Sequence, residues 1–366
     1  MGSKPRGISA SRGAAVLGLS EYMTPLEVWQ RIMEEREPGW NEKNGYALPP
    51  ESESAAMRWG TAFEGAIIEL AERESGKRIL NREYFVSVNG YGDEPFFERR
   101  TGNELANYIT CHIDGSYSDT SEKGRRIETC VLHEGKTTSA IAYREKWGEA
   151  GTDHIPESYQ VQVQHQMLCT GASEAIVSVL VFPETPDKWE AMGWKICESN
   201  GGVERTKYYL SPTATGGRLK RCPYPFEWAN VLAEMGYFHQ YPVRANPKAQ
   251  KTMVERYREF WHCHVLTGKP PEPRNYDDVK RLFTEPVGTI VCDAAMTAWW
   301  REYDAIRKEI GKSGKAAKRQ EKLRLRILER ARKMNPVMDD ESQEKVIFRD
   351  SEGGKLGQFS KAGGFR

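Results

Sequence analysis

Ile113-Asp114-Gly115-Ser116-Tyr117 and, past a polar stretch, Ile127-Glu128-Thr129-Cys130-Val131-Leu132-His133-Glu134-Gly135-Lys136 are the segments from which the fold is read. The turn residues Asp119-Thr120-Ser121-Glu122-Lys123-Gly124 separate two β-rich runs, which predicts an antiparallel pair with a loose connection. Side chains alternate along a strand, so Glu134 and Lys136 share one face and His133 and Gly135 take the other. If Asp114 lies across from that pair, two carboxylates converge with a lysine beside them. Such an oxygen donor set suits a hard divalent cation and the hydrolysis of phosphodiesters. Taken alone, D…ExK is a weak pattern, because acids and lysines alternate on many solvated strands.

Context comes from the flanking segments. Ile155-Pro156-Glu157-Ser158-Tyr159-Gln160-Val161-Gln162-Val163-Gln164-His165-Gln166-Met167 precedes Thr170-Gly171-Ala172 and an apolar strand, Ala175 to Phe182. Gln162 and Gln166 share a helical face at i, i+4, and Tyr159 neighbours Gln162. A lone His165 reads as packing or hydrogen bonding rather than metal ligation. Upstream, Phe63, Ile67 and Leu70 form a buried stripe on a helix from about Ala55 to Ser75, closed by Gly76. On pattern alone, Glu64 beside that stripe is a solvated edge residue. Near the start, Ser11 is placed to cap a helical run from Gly13 to Leu17. A helix N-terminus with free amides, a hydroxyl and a neighbouring arginine also suits a phosphate.

Four blocks, in order along the first half of the chain, resemble the YqaJ-type viral recombinase (lambda exonuclease) family of the PD-(D/E)xK nuclease superfamily. They are Gly7-Ile8-Ser9-Ala10-Ser11 with Ala14-Ala15-Val16-Leu17-Gly18-Leu19-Ser20; Arg58-Trp59-Gly60-Thr61-Ala62-Phe63-Glu64; Asp114-Gly115 with Glu134-Gly135-Lys136; and Gln162-Val163-Gln164-His165. No proline precedes Asp114, and the link from Asp114 to Glu134 is longer than is usual in the family, which leaves the hairpin register open. The resemblance implies an α/β, restriction-endonuclease-like core with a central mixed sheet flanked by helices. It implies that Asp114, Glu134 and the Gly135 carbonyl hold two Mg²⁺ ions, which Mn²⁺ can replace. Glu64 completes or orients their shell, directly or through water. Lys136 and Gln162 complete the catalytic set, while Ser11 and Arg6 match positions that hold a terminal DNA phosphate. Arg12 is a further phosphate candidate without that support.

The remaining sequence bounds this reading. With 366 residues, the chain exceeds the usual single core, and its formal net charge of +1 means any DNA groove depends on local segregation of charge. Seven cysteines without a CxxC pair suit a reducing cytosol. Superfamily relatives with an iron–sulfur cluster need four suitably placed cysteines, and the C-terminal region offers Cys263 and Cys292. Neither a signal peptide nor an apolar membrane span is legible, so a cytoplasmic protein of a bacterium or phage-infected cell is expected. Thr24-Pro25-Leu26-Glu27 is a capping box for a helix presenting Leu26, Trp29 and Met33. Glu37 to Ser54 reads as an exposed loop. Trp189 to Cys197 and Thr206 to Leu210 flank Asn200-Gly201-Gly202 as a hairpin.

Residues 1–283 are therefore read as the nuclease domain. Residues 284–366 are read as a basic helical appendage with a Gly-rich tail. Between Arg301 and Lys333 stand 13 Lys and Arg against 5 Asp and Glu, on a helix expected to break near Gly311-Lys312-Ser313-Gly314. That stripe is either a solvated amphipathic face or a phosphate or partner contact. Val346 to Arg349 and Gly353 to Phe359 form a small hairpin or an arm. By resemblance the activity is Mg²⁺-dependent exonucleolytic cutting of linear double-stranded DNA from its 5′ ends, leaving 3′ tails for recombination by annealing. Partners so implied are a single-strand annealing protein and copies of the chain in a ring. Alternatives are a structure-specific or nicking endonuclease, and a DNA-binding or assembly protein whose nuclease site has decayed.

Overall fold

The computed structural model describes residues 7–46, 54–82, 84–87, 104–118, 131–199, 207–212, 224–282, 288–309, 314–334, 345–360 and 364–365. Contacts divide the chain into a first unit, residues 1–20 and 50–259, and a second, residues 21–49 and 260–366. The expected boundary at 283/284 falls inside the second unit. Packing explains the different division. Trp29 donates its indole N–H to the His264 carbonyl at 3.0 Å, and the Thr24 hydroxyl donates to Asp278 at 2.7 Å.

Helices run in chain order as α1 (Ala10–Leu17), α2 (Pro25–Arg36), α3 (Trp40–Lys43), α4 (Ala55–Ser75), α5 (Ala140–Lys146), α6 (Glu157–Thr170), α7 (Pro186–Ala191), α8 (Pro225–Glu234), α9 (Pro247–Phe260), α10 (Tyr276–Leu282), α11 (Ala294–Glu309) and α12 (Gly314–Arg332). The strands of the first unit are β1 (Ile8–Ser9), β2 (Arg78–Leu80), β3 (Tyr84–Ser87), β4 (Ile109–Ile113), β5 (Gly115–Ser118), β6 (Val131–Ser139), β7 (Glu174–Phe182), β8 (Trp194–Ser199), β9 (Lys207–Pro212) and β10 (Phe238–Arg244). Five of them form the central sheet in the order β10-β7-β6-β5-β2. Its β6 and β7 are parallel, with α5 and α6 as the crossover between them, and the other pairs are antiparallel. A smaller sheet, β1-β4-β3, pairs β1 parallel to β4.

Of the run Ala175 to Phe182, the last six positions are all buried, on both faces, as a central strand of a mixed sheet requires. On one face α4 lays Trp59, Phe63, Ile67 and Leu70 against Tyr117, Leu180 and Phe182. The rings interlock, with Trp59 4.7 Å from Trp189 and Phe63 5.1 Å from Phe182. Arg58 donates to both oxygens of Glu190 at 2.8 and 2.7 Å, and Trp59 donates to the same carboxylate. The ends of α4 lie where the sequence puts them. Ser54 caps the Met57 N–H, and Gly76 takes the left-handed conformation at φ 68°.

At α1 the sequence expectation is corrected. The helix begins at Ala10 and its N-cap is Ser9, not Ser11. Pairing of Ile8 and Ser9 with β4 fixes the extended residues that precede the helix, so it starts two positions early. Arg6, the turn 119–124, the turn at 200–202 and residues 311–313 lie outside the described residues. The strands flanking 200–202 do pair antiparallel as β8 and β9.

In the second unit the Thr24 capping box forms, and α2 buries Leu26, Trp29 and Met33. The expected exposed loop is partly ordered: residues 40–43 form α3, and Trp40 and Tyr46 pack their rings around Trp29. C-terminal to residue 283 the unit is mixed rather than helical alone. Strands β11 (Gly288–Val291), β12 (Val346–Arg349), β13 (Lys355–Ser360) and β14 (Gly364–Phe365) form a sheet. Met296, Trp300, Tyr303, Leu323, Ile327, Leu328, Phe348 and Phe359 make its core with α11 and α12. Several cations of α12 are engaged within the unit: Arg319 with Glu302, Arg324 with the Tyr303 hydroxyl, and Arg330 with Asp293. No helix among the described residues is long and apolar enough to cross a membrane.

Candidate active site

Asp114 stands where the chain leaves the small sheet and enters the central one, between β4 and β5. Pairing of β5 with β6 sets Gly115 opposite His133 and Tyr117 opposite Val131. One more step in that register brings Asp114 opposite Glu134. There the strands part, and the Gly135 N–H, left without a ladder partner on that edge, donates to Asp114 Oδ2 at 2.8 Å. A Cβ at position 135 would stand 3.4 Å from Ile67 Cγ2 and 3.7 Å from Asp114 Oδ2, so a glycine keeps this approach open.

Glu134 is 1% exposed, and a buried carboxylate is costly unless donors surround it. Lys136 Nζ and Gln162 Nε2 donate to its Oε1, and Gln166 Nε2 donates to its Oε2 at 2.6 Å. The Lys136 ammonium also lies 5.1 Å from the ring centre of Tyr159. Burial disfavours that ammonium, yet the Glu134 and Asp114 carboxylates hold its pKa above the ordinary lysine value. Lys136 is thus a fixed cation. Asp114 moves the opposite way from its ordinary value: burial first, then Glu134, raise its pKa well above the carboxylate range, and Glu64 adds to the rise.

Asp114, Glu134 and the Gly135 carbonyl are hard oxygen donors of the kind that Mg²⁺ or Mn²⁺ accepts. Repulsion between the two buried carboxylates is the term a divalent cation would relieve, so the donor set fits such an ion. Among the described residues no three His, Cys, Asp or Glu side chains group to hold an ion directly. Glu64, half-buried on α4, adds its charge to the field at Asp114. At His133, burial, then the Arg82 and Lys136 charges, lower the pKa to about 3, and the ring packs edge-on to Tyr117 at 5.7 Å.

Asp114, Glu134, Gly135, Lys136 and Gln162 are thus brought together. Ser11 and Arg12 are not part of that cluster. Ser9 pairs with Thr110, four residues before Asp114, which places the start of α1 roughly 13 Å away along β4. Ser11 Oγ lies 3.0 Å from Ser9 Oγ, and Arg12 donates to the Gly7 carbonyl at 3.2 Å. His165 is a packing residue, hydrogen-bonded by Nε2 to the Thr110 carbonyl and by Nδ1 to Tyr257. Two residues escape a motif-based reading: Gln166, which holds the second oxygen of Glu134, and Tyr159, which faces Lys136. Their i, i+4 and i, i+3 spacing from Gln162 was the available signal.

Residues 2–173 match the YqaJ-like viral recombinase domain family. The N-terminal half of the chain is thus similar to that family. The uncharacterized protein YqaJ of Bacillus subtilis strain 168 is 29% identical over 180 residues, covering 48% of this chain and 44% of that protein. The match therefore spans less than half of that relative's length. Among solved structures, the alkaline exonuclease LHK-Exo of Laribacter hongkongensis is 14% identical, covers 72% of this chain and 90% of its own, and superposes with a TM-score of 0.39 alone and 0.41 with dAMP. A phage-related exonuclease from Haemophilus somnus is 11% identical, covers 71% and 94%, and has a TM-score of 0.40. All the carboxylates of the site described above, with Lys136 and Gln162, fall within the matched residues 2–173.

Proposed function

We propose that the chain is a divalent-metal-dependent deoxyribonuclease that shortens linear double-stranded DNA from its 5′ ends. The observation that carries this reading is the convergence of Asp114, Lys136 and Gln162 on Glu134 where β5 and β6 part. Asp114, Glu134 and the Gly135 carbonyl would hold Mg²⁺, with Glu64 orienting its waters. The ion, once bound, supplies Lewis acidity at the phosphoryl oxygens and a nucleophilic water.

The chain's own residues do the remaining work. Lys136, kept protonated by two carboxylates, offsets charge accumulating on the phosphate and orients the attacking water. Gln162 directs its amide toward the same point. Ser11 and Arg12, at the start of α1, would take a second phosphate farther along the strand, and Arg6 is assigned to the same phosphate. Products would be 3′ single-stranded tails used for recombination by annealing, with a ring of copies around the duplex and a single-strand annealing protein as partners.

The test is time-resolved digestion of an end-labelled linear duplex and a covalently closed circle, with Mg²⁺ or EDTA, comparing wild type with Lys136→Ala. Expected are Mg²⁺-dependent shortening from the 5′ end, an intact circle, and loss of cutting in the variant. Cutting of the circle would select an endonuclease. Binding without cleavage under either ion condition would select a non-catalytic DNA-binding protein.

A further inference from the structure

We infer that Gln166 is a positioning residue that fixes Glu134, and the spacing between the strands bearing Asp114 and Glu134, for a divalent cation. The inference rests on the proposed metal-dependent site and adds a residue outside the D…ExK pattern. Its single amide nitrogen donates to Glu134 Oε2 on β6 at 2.6 Å and to the His112 carbonyl on β4 at 3.4 Å. His112 is two residues before Asp114. Because β4 belongs to the small sheet, no backbone ladder joins it to β6 among the described residues, and this amide spans the gap.

Two further facts separate this role from packing. Gln166 is 1% exposed, and its own Oε1 is buried without a hydrogen-bond partner among the described residues. An unpaired buried acceptor costs about 1–3 kcal/mol, so a side chain needed only to fill space would be more stable as methionine. The donor half of the amide is what the site uses. Gln162, one turn earlier on α6, shares Oε1 with Lys136.

The experiment measures Mn²⁺ binding to the full chain from the electron paramagnetic resonance signal of free Mn²⁺, beside the melting temperature without metal. Compared are wild type, Gln166→Met, Gln166→Asn and Asp114→Asn. Gln166→Met keeps length and loses the donor; Gln166→Asn keeps the amide but is one methylene short. Both are expected to weaken Mn²⁺ binding about 10–100-fold, the usual effect of removing a group that orients a ligand. The metal-free melting temperature of Gln166→Met should fall, because the buried Glu134 Oε2 loses its donor, so Mn²⁺ affinity is the deciding readout. A lowered melting temperature with Mn²⁺ affinity within twofold of wild type would make Gln166 structural and overturn the inference alone. Absence of saturable wild-type binding that Asp114→Asn removes would overturn the site, and the inference with it.

Discussion

At the scale of single residues, the site divides into groups that carry charge and groups that aim it, and the two should fail differently. Removing Asp114 or Glu134 would remove a proposed cation ligand and leave one buried carboxylate beside Lys136. Removing Gln162 takes one donor from a carboxylate that retains Lys136 and Gln166. Asp114→Ala and Glu134→Ala should therefore abolish DNA cutting, whereas Gln162→Ala should lower it by about 10²–10³, the range for one oriented hydrogen-bond donor. Equal, mild losses in single-turnover digestion would sink this division. His165 gives a prediction about stability. Burial lowers its pKa from 6.5 to about 4, so the folded imidazole stays neutral while the unfolded one protonates as pH falls through 6.5. Its contribution is complete above pH 6.5 and is lost between 6.5 and 4, amounting to about 2 kcal/mol at pH 5. Urea unfolding at pH 7 and pH 5 should show that loss in wild type and a smaller one in His165→Gln. Identical pH dependence in both would assign it elsewhere.

At the scale of elements, the short β2–β5 edge is held by contact so close that one methyl group should disturb it. A Cβ at Gly115 would lie 2.3 Å from Ile79 Cγ2 and 3.1 Å from the Leu80 carbonyl. Gly115→Ala must therefore push β2 outward, at a cost of about 1–3 kcal/mol, and shift the adjacent Asp114. A denaturation midpoint equal to wild type would show that the edge yields freely. Such a contact is tertiary, and no local pattern in the sequence announces it. What the sequence does announce is periodic or punctuated: the α4 stripe with its Gly76 stop, the Thr24 capping box, and the apolar run that becomes β7. The Asp114, Glu134 and Lys136 set is legible because strand alternation and motif agree. Gln166 is legible only as a neighbour of Gln162 at i, i+4, because which carboxylate that face meets is set when the crossover folds. The start of α1 is misread because pairing of Ser9 with Thr110, a contact 101 residues away in sequence, fixes the residues before the helix. Sheet formation after residue 283 is missed for a related reason: β11 and β12 pair in parallel across two intervening helices, and each strand is only four residues long.

At the scale of the whole molecule, a net charge of +1 over 366 residues leaves little bulk attraction for a polyanion, so affinity for DNA must be made locally. The site itself is acidic: Asp114 and Glu134 flank Lys136, and burial first, then repulsion from Glu134 and Glu64, raise the Asp114 pKa. Folding the chain without metal therefore includes work against that burial and repulsion, which a divalent cation bound as proposed would return. A ligand that binds the folded chain alone stabilises it by RT ln(1 + [L]/Kd), about 2.7 kcal/mol at a concentration one hundred times Kd. Saturating Mn²⁺ or Mg²⁺ should accordingly raise the unfolding temperature of wild type, and the increment should disappear in Asp114→Asn and in Glu134→Gln. Those two substitutions remove repulsion as well as ligands, so their metal-free forms should melt no lower than wild type if Asp114 and Glu134 oppose each other as strongly as their burial implies. A metal-induced shift preserved in both variants would place the cation elsewhere in the chain and leave Lys136 without the role assigned to it.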